Sequence, residues 1–239
     1  MRRHTVVAER RAKLQDLCGA VSGDPDAVLR RVCEVCVTEC SVSGASITVQ
    51  GTGTGADTAM ALAWATDSIS EQLDDVQRTV GEGPGTTAHT DRGPVLVPDL
   101  TTEGARWPGF TMEAQKAGAA AVFAFPLQVG AVRVGVLDTY RTTAGPLSGA
   151  EFGDALILAD IATYEVLNVL AGQDAIDMGW LPDIHAEVHQ ATGIVTAQLG
   201  LTMSEALVRI RAHAFSHQLA LDDVAHQIVH RHLYLETGA

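Results

Sequence analysis

Three cysteines stand three and four residues apart, as Cys33, Cys36 and Cys40. On an α-helix that spacing brings all three thiols to one face. Thiols so placed can hold a soft metal ion, or two of them can cycle through a disulfide. A closed tetrahedral site needs a fourth ligand, commonly from a second Cys pair, and the chain has no such pair. Its remaining cysteine, Cys18, lies alone upstream. Cysteine is also a small apolar core residue. The set therefore reads as core packing, with no resident metal and no cofactor.

A second candidate is the run Gly81-Glu82-Gly83-Pro84-Gly85. It lacks the Lys and Ser/Thr of a phosphate-binding loop, and its spacing is not the dinucleotide fingerprint. It reads as a turn that ends one helix and opens another. His89 follows it closely, and Trp107, Pro108 and Phe110 further on can plug a core or close a pocket. From Pro182 onward there are seven histidines: His185, His189, His213, His217, His226, His230 and His232. His226 and His230 lie one helical turn apart, but no Glu stands between them in zinc-protease spacing. The same tail sets three arginines, Arg209, Arg211 and Arg231, against six carboxylates. These histidines read as solvated or as hydrogen-bond partners for a nucleic acid. No Ser/His/Asp arrangement, carboxylate pair or nucleophile elbow emerges, so the chain reads as non-enzymatic.

The bulk numbers bound the rest. A chain of 239 residues suits one large domain or two small ones. With 46% hydrophobic and 19% charged residues it can bury a core. A formal net charge of -13 counts against a broad basic groove for nucleic acid, though not against a small local patch. No run of about 18 apolar residues appears, so no membrane span is expected. Glu9, Arg10, Arg11 and Lys13 interrupt any apolar segment behind the basic start, which predicts a cytoplasmic protein with reduced thiols.

The elements that must position these residues follow from periodicity and punctuation. Residues 5–21 form an amphipathic helix. Asp24-Pro25 opens a second helix that runs to about Ser41 and carries the cysteines. Ile47–Val49 and Thr58–Ala65 read as strands around a Gly/Thr turn at Gly51–Gly55. A helix over Ser68–Val80 ends at the glycine run, and a short helix follows from Thr86. Val95–Val97 is a strand, and Ala119–Val129 with Ala131–Tyr140 form a hairpin. Ser148 and Glu151 make a capping box for a long helix to about Leu170, apolar on two sides. Beyond it no strand signal returns. Ile184, Val188, Ala191 and Val195 make a coiled-coil-like seam, Thr202 and Glu205 cap a second helix, and Asp222 or Asp223 opens a third.

The order helix, two strands, helix, strand, hairpin, long helix resembles the GAF sensory domain. The residues that carry it are Val80–Ala88, Gly93–Leu100, Ala124-Phe125-Pro126-Leu127, Val134–Leu137 and Gly145-Pro146-Leu147-Ser148. The tail resembles the ANTAR RNA-binding antiterminator domain. It shows Ala191-Thr192-Gly193-Ile194-Val195, Leu199-Gly200-Leu201, Glu205-Ala206-Leu207, Arg209–Ala214 and Asp223-Val224-Ala225, with Thr192 where that family usually has Lys or Arg. Together they resemble GAF–ANTAR regulators of the actinobacterial type. The expected fold is α+β: a GAF-like antiparallel sheet flanked by helices, then an all-α three-helix ANTAR-like domain. The expected boundaries are a helical segment at 1–24, the sensor at 25–172, a linker at 173–182 and the output domain at 183–239.

The resemblance implies a signal-responsive transcription antitermination regulator whose output domain binds RNA hairpin loops as a homodimer, under control of a small-molecule or protein signal. RNA contact is expected at Ala191, Thr192, Gly193, Arg209, Arg211 and His213, and the sensor pocket at Trp64, His89, Trp107, Phe123 and Phe125. The Asn-Lys-Phe-Asp-Glu run of cyclic-nucleotide GAF domains is absent, so that ligand is not supported. Two other readings are a dimeric protein-interaction adaptor without RNA binding and a GAF-fold sulfoxide reductase.

Overall fold

The computed structural model describes residues 2–19, 25–51, 60–130, 132–172 and 186–235. Two helices come first, α1 (Arg2–Cys18) and α2 (Pro25–Glu39). Strands β1 (Gly44–Gln50) and β2 (Met60–Ala65) precede α3 (Ser68–Val80) and α4 (Pro84–Asp91). Strand β3 (Val95–Val97), a 3-10 turn at Leu100–Thr102 and α5 (Pro108–Ala117) lead to the hairpin β4 (Ala121–Val129) and β5 (Val132–Arg141). The long helix α6 (Gly149–Gly172) follows, then α7 (Ala186–Leu199), α8 (Met203–His217) and α9 (Leu221–Val229). The expected Gly51–Gly55 turn, the 173–182 linker and Ile184 of the seam lie wholly or mostly outside the described residues.

The five strands pair antiparallel throughout, in the order β2-β1-β5-β4-β3. Both faces of this sheet are covered, which is why its strands read as nearly unbroken apolar runs. One face, with Ile47, Phe123, Phe125, Leu127 and Leu137, packs under α1, α2 and α6. The other, with Val95, Val97, Val122, Ala124, Val136 and Tyr140, packs against residues of α3, α4 and α5. A third core, built on Val188, Ala191, Val195, Ile210, Val224 and Ile228, belongs to α7–α9 alone.

Local chemistry sets the helix ends. Glu151 accepts from the Ser148 backbone N–H at 2.6 Å, and the Ser148 hydroxyl accepts from the Glu151 N–H at 3.3 Å. The first of these bonds, chiefly, holds the Glu151 carboxyl down at about 2. Thr202 and Glu205 make the same reciprocal box at α8. Helix α5 was not anticipated from periodicity, yet its punctuation is regular. Pro108 takes the first turn, and Gly118 closes the helix at φ 99. Helix α9 starts at Leu221, with Ala220 at its N-cap, so neither Asp222 nor Asp223 supplies that cap.

Helix α1 is joined to the sheet-containing domain. Arg10 donates to both Asp154 oxygens, at 2.8 and 2.6 Å, and to Glu39 at 2.7 Å, tying α1 to α6 and α2. Arg11 pairs with Asp160. The second apolar side of α6 is thus partly covered within the chain. The α7 seam is also used internally, because Val188, Ala191 and Val195 are buried between α8 and α9. The described α7 seam is therefore spent within the chain, while α6 keeps Leu156 and Tyr164 exposed.

All four cysteines are free and buried in the core under α1, α2 and α6. Burial pushes the Cys18 thiol up to about 11 and the Cys33 thiol higher still, and Cys36 rises chiefly through its hydrogen bond with Cys40. Ellman's reagent should titrate none of the four in the native protein and all four after unfolding. Cys33→Ala should lower stability by about 1–2 kcal/mol through the cavity it leaves. A thiol that reacts rapidly in the native state would contradict this assignment.

Candidate functional site

The glycine run is the junction of the molecule. Gly81 ends α3 in the left-handed region at φ 75, its N–H bonding back to the Gln77 carbonyl at 2.9 Å. Pro84 takes the first position of α4, where no N–H is needed. Between them Glu82 reaches to α5 and accepts from the Gly109 N–H at 2.8 Å and the Phe110 N–H at 3.4 Å, satisfying two free donors of that helix. The turn therefore fixes three helix ends at once.

Beneath the turn lies a buried polar centre. Gln77 donates from Nε2 to Asp138 Oδ2 on β5 at 3.1 Å, and its Oε1 accepts from the Gly85 N–H at 2.7 Å. Gly85 is required there, since a β-carbon would collide with Asp138 Oδ2. Among the described residues Asp138 Oδ1 has no hydrogen-bond partner. Beside them Asp74 accepts from the Thr48 hydroxyl at 2.6 Å and from Arg78 Nε at 2.9 Å. Burial pushes the Asp138 carboxyl up to about 7, against the lowering effect of Gln77 and with a smaller push from Asp74.

The five expected pocket residues do not meet in one place. Phe123 and Phe125 are fully buried in the core under α1, α2 and α6, and Trp64 packs against that core with Arg30 5.5 Å above its ring. Trp107 belongs to the opposite core, where its Nε1 donates to the Thr87 hydroxyl at 3.1 Å and its ring meets Phe110 edge-on. His89 is half-buried on α4, and burial chiefly, with Arg133 adding to the effect, lowers its affinity for a proton. Phe123 and Phe125 flank Ala124, the strand partner of Asp138, but pack on the opposite face of the sheet, whereas His89 lies on α4 and Trp107 in the core on the other face. Sequence reasoning passed over Gln77, Asp138 and Asp74. The signal for Asp138 was present, as a lone carboxylate inside an otherwise apolar strand pattern.

The expected RNA-contacting residues also divide. Ala191 is fully buried, and Thr192 is buried with its hydroxyl bonded to the Val188 carbonyl at 2.6 Å. Both belong to the bundle interior, so their side chains do not face a partner. Gly193 is half-exposed, with open space where a β-carbon would stand. Arg209 and His213 are half-exposed on α8, and His213 stacks on His217 with ring centroids 4.0 Å apart. Burial first, and the His217 charge second, lower the tendency of His213 to protonate. Arg211 faces the sheet-containing domain. A β-carbon on Gly81 would stand 2.9 Å from Arg211 Nη1, and α8 and α9 both pack on α3.

With this geometry in hand, the comparisons with known proteins are specific for one part and architectural for the other. Residues 183–229 match the ANTAR domain model. The N-terminal part is similar in fold to the GAF domain of an Acinetobacter phosphoenolpyruvate-protein phosphotransferase, at 15% identity and a TM-score of 0.54, covering 72% of this chain and 98% of that one. It is likewise similar to the GAF domain of a phosphoenolpyruvate-protein phosphotransferase from Coxiella burnetii, at 11% identity and a TM-score of 0.51, covering 70% and 95%. No curated protein matches the sequence. The chain thus joins a GAF-fold domain to an ANTAR domain. Among the described residues no helix is long and apolar enough to cross a membrane.

The polar centre makes stability depend on pH. In the folded chain Asp138 holds its proton up to about 7, whereas unfolded it ionises near 3.8. Between those values the native state keeps a proton that the unfolded state has lost, so this group's contribution falls as pH rises and is gone above neutrality. The full span is worth up to roughly 4 kcal/mol. Asp138→Asn keeps an acceptor for Gln77 and removes the ionisation. Its urea midpoint should exceed that of the parent protein at pH 8, and the difference should shrink steadily toward pH 5. Parallel pH profiles for the two proteins would show that Asp138 is not the titrating group.

Proposed function

We propose that this chain is a signal-responsive, non-enzymatic antitermination regulator of the cytoplasm, which binds RNA hairpins through its ANTAR domain under control of its GAF-fold sensor. The observation that carries this reading is the seat of Arg211. The arginine best placed by type to pair with phosphate and stack on a splayed base lies against Gly81, four residues along the chain from Gln77 of the polar centre. A small molecule or protein signal that rearranges Gln77, Asp138 or the turn changes the seat of Arg211, and release exposes the RNA surface formed with Gly193, Arg209 and His213. Arg209 is two positions from Arg211 and points elsewhere on the helix, so Arg211 is the central contact.

The reductase alternative is disfavoured by one observation. All four cysteines lie in the core on the far face of the sheet from the polar centre. The adaptor alternative is decided by experiment. A homodimer belongs to the proposal as well, with the exposed Leu156 and Tyr164 of α6 as the apolar residues available to a second copy. Light scattering at micromolar concentration should give twice the monomer mass, and a monomer mass throughout would remove dimerisation from the mechanism.

Two substitutions in the full chain test control and contact separately, using a library of two-hairpin RNAs with randomised loops. Gly81→Asn keeps a residue that tolerates the left-handed region but crowds Arg211, and it should tighten RNA binding by about threefold or more. Arg211→Ala should weaken binding by about tenfold and flatten its salt dependence, with an unchanged melting curve. Equal affinity for parent and Arg211→Ala would place the RNA surface elsewhere. No selectable RNA for either the parent protein or Gly81→Asn would establish the adaptor reading instead.

A further inference from the structure

The three-helix domain carries a feature that RNA binding does not use. Glu187 lies in the first turn of α7, while His226 and His230 lie one turn apart at the end of α9. The bundle brings these 39 and 43 residues of separation to one point. His226 Nδ1 is 3.1 and 3.0 Å from the two Glu187 oxygens, and His230 Nε2 is 3.4 Å from the nearer of them. One ligand atom from each of the three residues falls within a span of 4.8 Å. The two rings stand 4.2 Å apart at 47°, and both turn a nitrogen to the same carboxylate. The second stacked pair, His213 and His217, gathers no third ligand among the described residues.

We infer that Glu187, His226 and His230 form a binding site for a divalent transition-metal ion, with zinc the best fit. Two imidazoles and one carboxylate are the borderline donor set that suits zinc, and hard ions such as magnesium take oxygen ligands instead. Bonds of about 2.0–2.1 Å in a tetrahedron require donor atoms about 3.3–3.4 Å apart. The Glu187-to-histidine separations of 3.0–3.4 Å match that edge, all three ligand atoms lie within 4.8 Å of one another, and side chains that are 37–57% exposed have room to close on an ion. Three protein ligands leave one position for water or for His232, whose ring centroid is 6.5 Å from that of His230. The ion bridges the start of α7 to the end of α9, closing the bundle across its own core, so it stabilises the ANTAR domain rather than the sensor. The site is independent of RNA binding, and its test does not involve RNA.

The test uses the full chain, stripped with a chelator and titrated with zinc alone by calorimetry, and with cobalt alone by visible absorption. One zinc per chain should bind, cobalt should give the intense bands of tetrahedral coordination, and the melting temperature should rise with zinc but not with magnesium. His226→Gln and Glu187→Gln should each weaken zinc binding by about tenfold or more. His213→Gln should leave it unchanged. Circular dichroism of the metal-free variants should match the parent, since all these side chains are exposed or half-exposed. Absence of stoichiometric zinc binding would overturn the inference, as would equal zinc affinity in the His226→Gln, His230→Gln double variant.

Discussion

One amide side chain joins segments that the sequence keeps far apart. Gln77 donates to Asp138 on the central strand of the sheet and accepts from Gly85 at the start of α4, while its own backbone carbonyl receives the Gly81 N–H that ends α3. The constraint behind this is burial on both sides. A strand with helices on each face has no water to offer a polar side chain, so a carboxyl placed there must find donors in the protein or hold its proton. Asp138 does both, in part. Gln77 serves one oxygen, Gly85 admits the carboxyl by having no side chain, and the remaining cost appears as an affinity for protons near neutrality.

The turn that Gln77 anchors is also where the two domains meet. Glu82 secures α5 from it, and Arg211 of α8 reaches Gly81. The polar centre of the GAF-fold domain and Arg211 of the ANTAR domain thus lie on either side of a single turn. The opposite side of the sheet has a different character. There α1, α2 and α6 are held by Arg10 between Asp154 and Glu39 over a core that contains every cysteine.

Much of this was readable in advance where the signal is local. The capping boxes at Ser148 and Thr202, the helix stop at Gly81 and the proline after Asp24 depend on neighbouring residues, and each predicted an element that exists. The GAF-like order of elements and the ANTAR-like tail were legible for the same reason. Helix α5 was missed because its apolar residues are few, although Pro108 and Gly118 frame it. The expected pocket failed on geometry. Alternation along β4 puts Phe123 and Phe125 on one face, while the loops that deliver Trp107 and the helix that carries His89 lie on the other.

By itself, then, the sequence determined the elements, their order, the division into a mixed domain and a helical one, and the place of Cys33, Cys36 and Cys40 in the core. These follow from spacing within a turn or two of chain. Only the tertiary structure decided which side of each element is inside. It buried Ala191 and Thr192, consumed the described α7 seam within one chain, set Arg211 against Gly81, and brought Glu187 to His226 and His230. The reason is that a helix with apolar residues on more than one side is ambiguous until its neighbours are placed. Contacts between residues tens of positions apart depend on packing angles that no local pattern encodes.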